Sequence, residues 1–99
     1  MNNAPSSKVH RFRLYVAGHA PNATMALANL TAMCRGHLPG RHAIEVVDVF
    51  IEPKRALEEG IFMTPTLVRV GPTPMPRVIG TLDDELAVLR AMRMDPVTS

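Results

Sequence analysis

Polar and apolar residues alternate from Val9 to Ala17, with Phe12, Leu14 and Val16 on one side and Arg11, Arg13 and Tyr15 on the other. A period of two predicts a strand. Gly18-His19-Ala20-Pro21-Asn22 breaks the pattern. A helix follows, opened by Asn22 as its N-cap or with Pro21 in its first turn. Leu27, Leu30, Met33 and Cys34 recur at helical spacing and predict its core face, and Gly36 to Gly40 ends it. Ala43 to Val49 is apolar almost throughout, as a central strand would be. Glu52 to Glu59 predicts a short polar helix, opened by Pro53 and stopped by Gly60. Thr66 to Val70 is a third strand. The prolines in Gly71-Pro72-Thr73-Pro74-Met75-Pro76 fix φ and predict a stiff turn, and Arg77 to Gly80 returns across it as a hairpin strand. Thr81 is expected to cap a last helix, with Asp83, Asp84 and Glu85 in the first turn and Leu82, Leu86, Leu89 and Met92 as the buried stripe.

The predicted order is βαβαββα. A helix between the first two strands makes them a parallel pair, and a tight turn makes the last two antiparallel. This is the plan of a thioredoxin-like α/β domain. It would span residues 9–94, with polar tails at 1–8 and 95–99.

A chain of 99 residues, 46% hydrophobic and 20% charged, has room for one modest core. An oligomer or a partner would add useful stability. The net charge is +2 with no basic run, and only 4% of residues are aromatic, which argues against nucleic-acid binding. The single cysteine, Cys34, excludes an intramolecular disulfide and fits a reducing cytoplasm. No apolar run approaches a membrane span, and Met1 to Ser7 lacks the apolar stretch of a signal peptide.

In a thioredoxin-like domain the reactive thiol sits at the first strand–helix junction, where the helix N-terminus lowers its pKa. Here that junction holds no cysteine. Cys34 falls about three helical turns later, on the apolar stripe, where it serves as a small hydrophobe. Thr64-Pro65-Thr66 precedes the third strand, the place where this fold carries a cis proline facing the junction. It sets the entry of that strand or forms part of a peptide-binding loop. Of His10, His19, His37 and His42, no two have metal-ligand spacing on a helix. His19, at the junction, is the candidate ligand or base, against the simpler reading of a solvated loop residue. Asp83-Asp84-Glu85 is explained by helix capping, because adjacent carboxylates do not converge on one point. No catalytic arrangement, metal site or cofactor motif emerges.

Leu14-Tyr15-Val16-Ala17-Gly18, Pro21-Asn22, Val46-Val47-Asp48-Val49, Pro53, Thr64-Pro65-Thr66-Leu67 and Ile79-Gly80, in that order, resemble the KaiB family of clock proteins over residues 8–94. The resemblance implies a non-catalytic protein that binds the ATPase ring protein KaiC. In cyanobacteria such proteins also capture KaiA and displace a KaiB-like sensor domain of a kinase. It further implies two folds: a tetrameric βαββααβ resting form and the thioredoxin-like binding form. Carried over, His42, Ala43, Ile44 and Glu45 would offer a strand edge to a KaiA-type partner. Glu52, Pro53, Lys54, Arg55, Glu58 and Gly60 would face a KaiC-like ATPase. The alternatives are a redox or glutathione-binding protein on the same fold, and a detached KaiB-like sensory domain acting on a separate histidine kinase.

Departures from the family sharpen these expectations. Cyanobacterial members have Tyr where this chain has His42, and Lys where it has Glu45 and Gly60. Charge is reversed or lost at partner-facing positions, which counts against a KaiA partner. Near the chain end the family has Gly and then Asp, where this chain has Ala91 and Arg93. Ala for Gly favours a helix by about 0.8–1 kcal/mol. Arg in a last helical turn suits the dipole by about 0.3–1 kcal/mol. Ala91 and Arg93 are therefore expected to hold the free chain in the thioredoxin-like form.

Overall fold

The computed structural model describes residues 9–71 and 75–94. The tails 1–8 and 95–99, and Pro72, Thr73 and Pro74 of the expected stiff turn, lie outside the described residues. The elements run β1 (His10–Val16), α1 (Pro21–His37), β2 (His42–Asp48), α2 (Pro53–Glu58), β3 (Thr66–Val70), β4 (Arg77–Ile79) and α3 (Glu85–Ala91). The βαβαββα order is as expected. No helix among the described residues is long and apolar enough to cross a membrane.

The four strands form one sheet in the order β2-β1-β3-β4. β1 pairs parallel with β2, with Leu14 opposite Val46 and Val16 opposite Asp48. It pairs antiparallel with β3, with Tyr15 opposite Thr66. β4 returns antiparallel along β3. Alternation along β1 sorts side chains onto two faces. Phe12, Leu14 and Val16 enter the larger core with α1 and α3, while Tyr15 joins Val47, Ala56, Ile61 and Val68 beneath α2.

The apolar run in β2 does not make it a central strand. β2 lies at the sheet edge. Register puts Ile44, Val46 and Asp48 on the α1 face and Val47 on the α2 face. An edge strand needs burial on both faces only where helices reach it, and Val46 remains 45% exposed.

Two helix boundaries differ from expectation. α1 has Pro21 at its first position, as one of the two expected openings had it, with Ala20 and not Asn22 as N-cap, and it continues through Gly36 to His37. α3 is capped by Asp84, whose side chain accepts a hydrogen bond from the Ala87 amide, so Thr81 is not the cap. The cause lies at Leu82, whose φ of +66° is incompatible with a helical turn. Leu82 is still buried, but from the loop. The later start turns the helix, so Leu86 is 55% exposed and Val88 takes its place in the core. Arg93 lies beyond the C-cap Met92, at φ +58°, not in the last helical turn.

Candidate functional site

The C-terminal ends of β1, β2 and β4 and the start of β3 share one end of the sheet. Its centre is the Ala17–Pro21 junction. Gly18 adopts φ +61°, a conformation that side chains rarely take, and the Phe50 ring lies beside it within ordinary contact distance of where a Cβ would stand. Asp48 ties the junction to the exit of β2: its Oδ1 accepts from the Gly18 amide at 3.1 Å and the Phe50 amide at 2.9 Å. The Thr64–Pro65 bond is cis. The Pro65 carbonyl accepts from the Gly80 amide at 2.9 Å, so the loop before β3 and the end of β4 are joined.

Cys34 is remote from this end. It is fully buried in the α1 core face, and burial pushes its thiol up to about 11. Thiolate chemistry needs the opposite shift. His19 is exposed, on the rim of a cleft of about 400 Å³ between α1 and β2 lined by Leu27, Val46 and Ile51. Among the described residues no group of three His, Cys, Asp or Glu side chains converges as a metal site.

The same end of the sheet carries exposed apolar side chains. Phe50 and Ile51 leave β2 74% and 76% exposed; Phe62, before β3, is 87% exposed, with Met63 beside it and Ile79 at the end of β4. Isolated exposed apolar residues are ordinary, but several large ones at one end of a sheet suit an interaction surface. Sequence reasoning missed these residues. The available signal was apolar side chains running on past the end of a strand, in Val49-Phe50-Ile51, and before the start of the next, in Ile61-Phe62-Met63.

The residues expected at partner surfaces fall on β2 and α2. His42 is half-buried, and its Nδ1 lies 2.8 Å from the Leu38 carbonyl, to which it donates. Ala43 and Ile44 are half-buried, Ile44 against the α1 core. On α2, Pro53, Lys54 and Glu58 are exposed, Glu52 is the N-cap residue, and Gly60 closes the helix at φ +71°.

The structure brings three of these residues together. Arg55 holds Glu45 with both terminal nitrogens, at 2.8 and 3.0 Å, and also reaches Glu52 at 3.3 Å. Arg13 joins from β1, 3.1 Å from Glu45 and 2.7 Å from Glu59. The Tyr15 hydroxyl donates to Glu59 at 2.9 Å. Burial, and then this bond, push the Tyr15 hydroxyl's pKa up. Arg13, Tyr15 and Glu59 were not singled out from the sequence, because cross-strand ion pairs leave no local pattern.

The Arg55 hydrogen bonds, and then that of Arg13, hold the Glu45 carboxyl down to about 2. A depressed carboxyl pKa stabilises the fold above its unfolded value of about 4.3, and the contribution is lost as pH falls toward the folded value. Because the pair is half exposed, screening makes the contribution small. Acid unfolding of Glu45→Gln, followed by circular dichroism, should show lower stability than wild type at pH 6 and a shallower loss between about pH 5 and 2.

Comparison with known proteins agrees with this layout. The family described as KaiB domain matches residues 13–94. The chain is 41% identical over 86 residues to the circadian clock oscillator protein KaiB of Thermosynechococcus vestitus, covering 87% of this chain and 80% of that one. It is 36% identical over 84 residues to the circadian clock protein KaiB3 of Synechocystis, covering 85% and 82%. Among solved structures, the N-terminal domain of Synechococcus elongatus SasA superposes with a TM-score of 0.72 at 16% identity, covering 100% and 97% of the two chains. Chloroplastic thioredoxin z gives 0.70 at 17% identity, covering 88% and 79%. The solved-structure likenesses establish the thioredoxin-like fold, and with the KaiB domain matched over residues 13–94 and relatives about 40% identical over most of their length, the chain belongs to the KaiB family.

Proposed function

We propose that this chain is a non-catalytic regulator of the KaiB type, which acts in the cytoplasm by binding a KaiC-like ATPase and so modulates clock or stress signalling. The observation that carries the reading is the exposed apolar row of Phe50, Ile51, Phe62, Met63 and Ile79 along one end of the sheet. Aromatic and methionine side chains of this kind form the desolvated centres of protein interfaces. The charged residues of α2, Lys54 and Glu58 among them, flank this end and supply a polar rim.

A KaiA-type partner is not part of the proposal. At the β2 edge the positions that would meet it are His42, bonded to Leu38, and Glu45, held by two arginines. A histidine kinase is the second candidate partner, and it would compete for the same face.

The test is size-exclusion chromatography with a KaiC-like ATPase, in ATP and in ADP. Co-elution in one nucleotide state is expected. Separate elution in both states, with co-elution of a histidine kinase instead, would move the assignment to the kinase.

A further inference from the structure

The chain carries seven methionines and one cysteine, and the fold sorts their sulfur atoms by access. Cys34 is fully buried, and burial pushes its thiol up to about 11, so it offers an oxidant neither a thiolate nor a path. Met33, Met92 and Met94 are buried in the larger core, and Met75 packs half-buried against the smaller one. Among the described residues two methionines stand exposed, Met63 at 60% and Met25 at 48%. Met25 lies on α1. Met63 follows the exposed Phe62, at the sheet end that also carries Phe50, Ile51 and Ile79. Its backbone is pinned there, because the Thr66 hydroxyl donates to the Met63 carbonyl at 2.5 Å.

A thioether and its sulfoxide differ in the property that an interface uses. The thioether is apolar, flexible and polarizable, whereas the sulfoxide carries a polar acceptor oxygen. In water that oxygen is solvated, so at a side chain this exposed the free fold bears no penalty. Against an apolar partner surface it would be desolvated without a donor, which weakens binding.

We propose that Met63 is a reversible oxidation site that governs docking at this end of the sheet: a peroxide converts its thioether to the sulfoxide, and the sulfoxide form binds the partner weakly. The switch rests on the reading of this end as the partner surface. A lone pair of the Met63 sulfur attacks one peroxide oxygen. The S–O bond forms as the O–O bond breaks, sulfur gives up two electrons, and the second oxygen leaves as water with both peroxide protons. A docked partner covers the sulfur, so docking and oxidation oppose each other. Methionine sulfoxide reductases, one for each epimer, restore the thioether, with two thiols oxidised to a disulfide and the oxygen lost as water.

The test treats wild type, Met63→Leu and Met25→Leu with hydrogen peroxide, which is removed before the KaiC-like ATPase is added. Peptide mass spectrometry locates the sulfoxide, and titration calorimetry gives the affinity. Untreated, the three should bind within about twofold of one another, because Leu replaces Met at nearly constant volume. After peroxide, wild type and Met25→Leu should lose about tenfold or more, and Met63→Leu less than about twofold. Met63→Gln, whose amide imitates the sulfoxide, should bind about tenfold more weakly than wild type with no peroxide at all. Thermal melts of treated and untreated wild type should coincide, which separates lost docking from lost folding. Excess ATPase should slow sulfoxide formation at Met63 more than at Met25. If the untreated chain binds, equal losses in wild type and Met63→Leu, or oxidation of Met25 with Met63 spared, overturn the switch alone. If untreated wild type does not bind the ATPase, the surface reading fails and the switch fails with it.

Discussion

Phe50→Ser/Phe62→Ser should fold as well as the parent chain and lose at least about a hundredfold in affinity for the proposed KaiC-like ATPase partner. The two halves of this expectation come from the same measurement. Side chains 74% and 87% exposed contribute little to the free protein, so truncating them removes little buried area. Surface substitutions of this kind change stability by about 0.5 kcal/mol or less. The Phe50 ring lies beside Gly18, and the Phe50 amide bond to Asp48 survives the substitution. In a complex the same rings would be desolvated. A buried aromatic anchor costs about 2 kcal/mol or more on truncation, and each 1.4 kcal/mol is tenfold in affinity. Titration calorimetry alongside a thermal melt separates the outcomes. Unchanged affinity with an unchanged melt would show that the partner docks elsewhere.

The row of residues this prediction rests on was not legible in the sequence, although most of the fold was. Period-two alternation from Phe12 to Val16 reports β1 directly, because Phe12, Leu14 and Val16 are buried on one face while the other keeps Arg11 exposed and Arg13 half-buried. The same logic misplaced β2. Its apolar run looks central, yet it is an edge strand whose α1 face is partly covered. Local pattern reports burial on each face but not which strand lies alongside. Pro65 was legible through its place before the third strand, and the structure gives the cis bond. The start of α3 was misplaced because Thr81 and Asp84 are both competent caps, and the choice was made by Leu82 turning into the left-handed region. The exposed phenylalanines were hidden for a related reason. An apolar residue next to a strand end has the composition of core, and only the sheet's geometry shows that no layer covers it.

Arg69→Met should lower the melting temperature by about 10–20 °C, and Arg93→Gly should raise it. Arg69 projects from β3 to the far end of α3. Its guanidinium donates to the Met92 carbonyl and, at 3.1 Å, to the Arg93 carbonyl, and it lies 6.0 Å from the Phe12 ring centre. It also contacts His10. Burial, and then the nearby Arg93 charge, pull its pKa down, yet an arginine remains charged at any working pH. The cation therefore satisfies the orphaned carbonyls at a helix C-terminus and complements the dipole there. Charged hydrogen bonds of this kind contribute about 1.5–3 kcal/mol, and Met keeps the apolar stem while removing them. At about 4–8 °C per kcal/mol for a domain of this size, the shift follows. The chain beyond the helix closes on itself: the Arg93 amide donates to Arg90 at 3.2 Å and the Met94 amide to Leu89 at 2.8 Å, with Met94 and Leu89 both in the core. This is a Schellman motif, which places a left-handed residue at position 93. Arg tolerates φ +58° at a cost of about 1 kcal/mol that glycine avoids. Ala91, as the last helical residue, supports the same end through propensity. We therefore propose that Arg69, with Ala91, holds residues 85–94 as helix and Schellman turn in the free chain. The contribution of Arg93 is then its two backbone hydrogen bonds and not its side-chain charge. Ala91→Gly together with Arg69→Met should be the combination that releases this segment. Backbone chemical shifts give the answer: helical values at 85–91 in the parent chain and loss of them in the double variant are expected, and strand values there in the free parent chain would refute the assignment.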